Sequence, residues 1–273
     1  MKQIAILMLT VTLQAAAQID IQVKWDQPRG EVTPGLLGVN IWVGYDLEVA
    51  TDDFYQDNLE YMQPGMLRFH SSESRYDSEN HERGWADSYN QSWDEAKIVE
   101  VLASFRDVEN AILNVPGWSD WIDANGNDRL DRDEFAEYAG WCADLVEIVN
   151  VKYEFGIRYF SPFNEMENKV KDGVDGLVDL FNICYDSVKA VDADVQVGGG
   201  EWTQPWDSNI RTFIEGARDR LEWFAYHHYV TGDSEKPDDE IFDAASGFAD
   251  RSNAIRGMMD DNGLQDKPLF LSE

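Results

Sequence analysis

The sequence predicts an α/β fold, a (β/α)8 TIM barrel that is incomplete, with seven strands present and the eighth missing. Three observations carry that prediction. Apolar runs of strand length alternate with helical patterns from Leu36 to Ser272, which implies parallel strands joined by crossovers. Polar residues fall at or just past nearly every C-terminal strand end: Asn40, Arg68 with His70, Asn114, Asn164 with Glu165, Glu201, His227 with His228 and Tyr229, and Glu273. An open doubly wound sheet would place its ligand at one switch point, whereas a barrel gathers all strand ends around one mouth. The one glycine run, Gly198-Gly199-Gly200, lacks the spacing and helix start of a dinucleotide site.

Taken in order, residues 1–17 read as a signal peptide: Lys2, an apolar run from Ile4 to Leu13 too short to span a membrane, and Ala15-Ala16-Ala17 before the cleavage point. The mature protein is therefore expected to be secreted or periplasmic. Residues 18–33 form an N-terminal extended segment in which Ile19 to Trp25 alternates apolar and polar side chains. Residues 34–273 are the barrel. Its first unit is a strand at Leu36–Trp42 and a helix at Asp52–Met62 capped by Thr51. A strand at Met66–His70 leads into a polar loop, Ser71 to Ser92, and a helix at Trp93–Phe105 with Ser92 and Glu95 as reciprocal caps. The third strand, Ala111–Val115, is followed by a helix from Phe135 to Val149, and the fourth spans Phe155–Phe160. The remaining units are helix Val174–Val191, strand Val195–Gly200, helix Ile210–Arg218, strand Trp223–Tyr229, helix Ala244–Met259 and strand Leu269–Ser272. An eighth strand has no counterpart. The barrel reads as truncated at its C-terminal end, and residues 1–273 alone are expected to show little or no turnover.

Fifty-three acidic against 22 basic residues give a formal charge of −31. Such a surface repels phosphate backbones and anionic lipid, which excludes nucleic acid and, after signal cleavage, the membrane as partners; a neutral substrate fits. The 43% hydrophobic residues and ten Trp are enough for a large core. Cys142 and Cys184 sit among apolar residues of predicted helices, so they are expected as buried free thiols, with no disulfide framework.

Two carboxylates facing each other across a barrel mouth can cleave a glycosidic bond, one protonating the leaving oxygen while the other attacks the anomeric carbon. Glu165 is expected to be the acid/base, kept protonated by burial and by its partner's charge, and Glu273 the nucleophile, kept ionised by Arg68. Asn164 would donate its amide to a sugar hydroxyl, with His70 and Asn114 as further polar lining. His227 and Tyr229 face one side of their strand and His228 the other, and the pattern alone leaves the register open; His228 and Tyr229 are the candidates from this strand. Among the loop tryptophans, Trp118 and Trp202 lie nearest strand ends and are the expected stacking surfaces for sugar rings.

A second motif is separate from the first. Asp123, Asn125, Asn127, Asp131 and Glu134 occupy positions one, three, five, nine and twelve of a loop, Leu130 is the apolar eighth residue, and a helix follows. This is the EF-hand calcium-loop pattern, with the Arg129 carbonyl at position seven and Asp128 at position six in place of Gly. A structural Ca2+ is expected here, and no organic cofactor.

These residues support a resemblance. The chain resembles retaining glycoside hydrolases of the (β/α)8-barrel clan, and is most like glycoside hydrolase family 39. Asn164-Glu165 matches the clan's Asn-Glu at the end of the fourth strand, and Leu271-Ser272-Glu273 its nucleophile at the end of the seventh. Arg68 matches a strand-two arginine and His228-Tyr229 resembles a strand-six pair, while Met166 stands where the pattern has proline. The resemblance implies a secreted O-glycosidase acting with retention on a neutral oligo- or polysaccharide, with β-xyloside-like substrates. It also implies an accessory β-sandwich to which the 18–33 segment would contribute. The alternatives are an endo-glycanase of another family in the clan and a non-catalytic, calcium-ordered carbohydrate-binding barrel.

Overall fold

The computed structural model describes residues 37–41, 46–70, 84–87, 89–106, 108–203, 207–229, 236–245 and 247–273. The expected signal peptide, the 18–33 segment and most of the loop after the second strand lie outside them. The elements are β1 (Gly38–Ile41), α1 (Leu47–Ala50), α2 (Asp53–Met62), β2 (Met66–His70), β3 (Ala86–Asp87), β4 (Ser92–Trp93), α3 (Glu95–Ala103), β5 (Ile112–Asn114), α4 (Phe135–Val146) and β6 (Tyr159–Ser161). They continue with α5 (Gly173–Val191), β7 (Gln196–Val197), β8 (Gly199–Trp202), α6 (Asp207–Ala217), β9 (Phe224–Tyr226), α7 (Asp238–Ala245), α8 (Gly247–Asp261) and β10 (Leu269–Leu271).

Local chemistry shifts several expected boundaries. The N-cap of α2 is Asp52, whose carboxylate accepts from the Tyr55 N–H at 2.9 Å, because Thr51 is occupied with the end of α1 through the Leu47 carbonyl. Asp94 caps α3 through the Lys97 N–H, since Ser92 and Trp93 instead pair with β3. Trp93 stacks on Trp141 with ring centroids 3.6 Å apart, and that contact fixes the hairpin to α4. The fourth strand starts at Tyr159 rather than Phe155. A π-helical stretch, Glu147–Lys152, prolongs α4, and Asn150 both donates to the Ile157 carbonyl and accepts its N–H, drawing the connection away from the sheet. The predicted last helix is divided into α7 and α8.

All the barrel strands pair in parallel. One sheet has the order β1-β2-β5-β6-β7 and the other β10-β9-β8. The two meet at Gly198: its N–H donates to Phe160 of β6 at 3.0 Å, whereas the next N–H, from Gly199, donates to Trp223 before β9 at 3.2 Å. A Cβ at Gly198 would lie 2.3 Å from the Trp223 carbonyl oxygen, so only glycine allows the strand to change partners there. β7 and β8 are thus two halves of one strand position, and seven positions of a (β/α)8 barrel are filled among the described residues.

Two apolar clusters show which way the side chains point. A small inner one joins Ile112, Tyr159, Trp223 and Ala225 with Met66 and Phe270, three of whose rings meet edge to face at centroid distances of 5.4 to 6.0 Å. The large outer one packs Leu67, Phe69, Leu113 and Phe160 against the helices. Because strand side chains alternate, Met66 and Ile112 point inward at the base, and so do Arg68, His70 and Asn114 above them. Between β1 and β10 lies a cleft of about 530 Å3 lined by Gly38, Met66, Ile112, Leu269 and Phe270, crossed above by the Asn40 amide donating to the Ser272 carbonyl at 2.7 Å. Both cysteines are buried and unbridged.

Candidate active site

The inward-facing polar residues converge on Arg68, which is 4% exposed. Its Nη1 donates to the Asn40 side-chain oxygen at 2.9 Å and to Glu273 Oε1 at 2.8 Å. Its Nη2 donates to the Asn164 side-chain oxygen at 2.7 Å and pairs with Glu201 Oε2 at 3.3 Å. His70 packs against the same guanidinium and lies 3.3 Å from Glu273 Oε1. One planar cation, fixed by a short strand, therefore holds groups from four other strand ends.

Glu273 follows β10, where its backbone carbonyl accepts from the His228 N–H at 3.0 Å, and the Tyr229 hydroxyl donates to its Oε2. Burial pushes its carboxyl upward, but hydrogen bonds from His70 and Tyr229 and the charges of His227 and Arg68 outweigh this and hold it at about 2. Burial and the neighbouring Glu273 push the Tyr229 hydroxyl above its ordinary range.

Glu165 sits in the loop after β6 with φ of 51°, and its N–H donates to the Glu201 carbonyl at 3.2 Å. Its Oε1 lies 2.7 Å from His227 Nδ1, and the other ring nitrogen, Nε2, lies 3.2 Å from Glu201 Oε2. Burial lowers the proton affinity of His227, yet hydrogen bonds to Glu165 and Glu201 raise it to about 9. For Glu165 burial acts upward, but the hydrogen bond from His227 brings its carboxyl below the ordinary value. Glu165 is therefore not kept protonated by burial, as the sequence suggested; at neutral pH the proton of this pair rests on the imidazole.

A carboxylate oxygen of Glu165, one of Glu273 and a ring nitrogen of His227 lie within 4.8 Å of one another. Arg68 already supplies the positive charge at this point, so the arrangement is one of paired acids and bases.

Of the remaining expected site residues, Asn164 and Tyr229 join this cluster directly. Asn114 is fully buried beneath it, donating to the Phe163 carbonyl at 3.0 Å and supporting the loop that carries Asn164. His228 is turned away: its ring packs on Phe248 of α8 at 4.4 Å, and the mouth side of the strand belongs to His227 and Tyr229. Trp118 and Trp202 are completely buried and present no face for a sugar ring; Trp202 packs edge to face on Phe213 of α6. Two residues of the cluster, His227 and Glu201, stand at strand ends in the sequence but are not among the site residues it suggests. The alternation that puts His227 on the face of Tyr229 was the available signal for the first. The glycines before Glu201 were the signal for the second, since they permit the backbone that turns it inward.

The loop 123–134 is built around its acidic residues. Asp123 and Glu134 are buried. Glu134 accepts from the Ala124 N–H at 2.9 Å and the Asp131 N–H at 2.8 Å, and Asp123 accepts from the Asn127 and Asp128 N–H groups at 3.2 and 2.9 Å. Asp128 takes the left-handed turn that position six requires, with φ of 66°. Leu130 is buried and forms a parallel bridge with Val170 in the segment after Glu165, and α4 starts directly after Glu134. The residues that could hold a cation are thus tied to the loop carrying the acid/base candidate.

No protein-family model and no curated protein match this sequence. Solved structures do. A glucosidase from Croceicoccus marinus superposes with a TM-score of 0.56 at 18% identity over 80% of this chain and 47% of its own. A family 51 arabinofuranosidase from Xanthomonas axonopodis pv. citri gives 0.54 at 13% over 90% and 58%. A glycoside hydrolase family 5 enzyme from Prevotella bryantii gives 0.52 at 16% over 81% and 72%. The chain has the fold of these barrel hydrolases. It spans about half the length of the first of these structures, and at such identities the likeness concerns the fold alone.

Proposed function

We propose that the protein is a secreted glycosidase that cleaves O-glycosidic bonds of a neutral oligo- or polysaccharide with retention, as in the family 39 enzymes it resembles. The observation that carries this reading is that one carboxylate oxygen of Glu165 and one of Glu273 face each other within 4.8 Å, which favours the closer of the two spacings that glycosidases use. Retaining enzymes hold their carboxyl groups about 5–5.5 Å apart, whereas inverting ones leave about 6.5–9.5 Å for a water. Glu273, ionised, attacks the anomeric carbon as the glycosidic C–O bond breaks, and the proton held between Glu165 and His227 passes to the leaving oxygen. Water then attacks the glycosyl-Glu273 ester, gives its proton to Glu165 and releases the sugar with its original configuration. The Asn164 side-chain oxygen is engaged by Arg68, which leaves its amide hydrogens to bind a sugar hydroxyl.

The test is stereochemical. Proton NMR of the first product released by the whole gene product from a glycoside of defined anomer is expected to show the same anomer. The opposite anomer first would mean an inverting enzyme, and binding without any hydrolysis would leave the carbohydrate-binding barrel.

We further propose that a Ca2+ ion bound by Asp123, Asn125, Asn127, Asp131, Glu134 and the Arg129 carbonyl is a structural part of this enzyme. Hard oxygen donors, two of them buried carboxylates, suit that ion. A site saturated about 100-fold over its Kd contributes about 2.7 kcal/mol, which for a chain of this size is on the order of 5–10 °C in Tm. Chelation followed by calorimetry should show a fall of that order, reversed by Ca2+ and not by Na+; an unchanged Tm, with no metal detected by elemental analysis, would remove calcium from the picture.

A further inference from the structure

Glu201 has no role in the reaction described so far, yet it is 0% exposed and faces the site. It is the extra residue of a β-bulge: Gly200 pairs with Ala225 and Trp202 with Tyr226, so Glu201 has no partner of its own on β9. Bulges re-aim a side chain that strict alternation would send elsewhere. Here the turn is made with φ of 101° at Gly200 and 47° at Glu201, the second a left-handed conformation that a glutamate adopts at a cost. What the strained backbone secures is a carboxylate beside Arg68 Nη2, the Ser272 hydroxyl at 2.5 Å and His227 Nε2, with its own carbonyl accepting from the Glu165 N–H.

We propose that Glu201 is a positioning residue for the acid/base: it holds His227 with Nε2 protonated toward itself and Nδ1 against Glu165, so that the imidazole shares the proton that Glu165 delivers. The inference rests on the glycosidase reading above. A buried anion at Nε2 leaves one workable tautomer, with that nitrogen as a permanent donor and Nδ1 as the atom that exchanges a proton with Glu165. When the leaving oxygen is protonated, the proton moves from Nδ1 through the Glu165 carboxyl and Nδ1 becomes an acceptor. When water attacks, the proton taken by Glu165 returns to Nδ1, and nothing is gained or lost over the cycle.

The groups facing His227 favour this assignment. Glu165 comes from the loop after β6, Glu201 from β8, and Glu273 Oε1 from beyond β10 at 3.5 Å; Tyr229 is on the same strand with its ring 6.5 Å away. Arg68, on β2, is paired with both Glu201 and Glu273, and His70 lies beside it. Glu165 and Glu273 both change charge or bonding during the reaction. Glu201 is the carboxylate that stays constant.

The experiment follows the imidazole itself. In the whole gene product with 15N-labelled histidine, Nε2 of His227 is expected to remain protonated across the titration while Nδ1 loses its proton in the alkaline range. In Glu201→Gln the Nδ1 titration and the alkaline limb of kcat/KM should both move down by about one unit or more, with Glu201→Asp between the two. A neutral-pH wild-type spectrum with Nε2 unprotonated would overturn the proposal even if Glu201→Gln fails to fold. So would a limb and an Nδ1 titration that stay in place in the folded variant. Failure of the glycosidase reading looks different: no hydrolysis of any glycoside by the wild type, with the His227 titration as expected.

Discussion

Glu273→Gln is expected to lower kcat by roughly 10⁴–10⁶-fold, the scale on which removal of a covalent nucleophile acts, while sugar binding stays measurable by calorimetry. The substitution keeps the shape of the side chain and the hydrogen bonds it accepts from Arg68 and His70, but removes the charge that attacks the anomeric carbon in the proposed mechanism. Glu165→Gln should behave differently, losing about 10²–10⁴-fold with a poor leaving group and much less with a nitrophenyl glycoside, which departs without a proton. The contrast between the two variants assigns the roles. Turnover by Glu273→Gln within tenfold of wild type would sink the assignment of the nucleophile.

Arg68→Met is expected to destabilise the fold by about 3–5 kcal/mol, because it leaves buried carboxylates without their cation. The partners are Glu201 at 3.3 Å and Glu273 at 2.8 Å, with side-chain exposures of 0% and 6% beside 4% for the arginine, so little solvent screens the loss. For a chain of this length the fall in Tm is on the order of 6–20 °C. Its pH dependence has a definite sign. The Glu201 and Glu273 carboxyls are held at about 2, below their ordinary 4.5, so the stability they contribute is complete above 4.5 and is lost as pH falls toward 2. The gap in Tm between wild type and variant should therefore narrow over that range. A gap that is constant with pH would mean that Arg68 acts through packing instead.

Much of this site was legible in the sequence because strand ends are legible. Arg68, His70, Asn164, Glu165 and Glu273 each end an apolar run, and in a parallel barrel that alone assigns them to one mouth. The fold followed from the same alternation. What could not be read was direction and depth. Whether His227 or His228 faces the mouth depends on a register of one residue, and the burial of Trp118 and Trp202 depends on how far the helices close over the strand ends. The protonation of Glu165 was misread for a related reason: burial was visible in the apolar flanks, but the imidazole that outweighs it arrives from a strand far along the chain. Glu201 was visible as a polar strand end, but its direction was hidden by the bulge, where only the glycines before it hint that alternation breaks.

The change of partner at Gly198 has a mechanical consequence. Glu165 belongs to the sheet that ends with β7 and Glu273 to the sheet that begins with β8, so the gap between these two carboxylates is spanned by the strand that this glycine divides. If the proposed glycosidase reading holds, the spacing of the two carboxylates, and with it the choice between retention and inversion, is set partly by this join beneath the site.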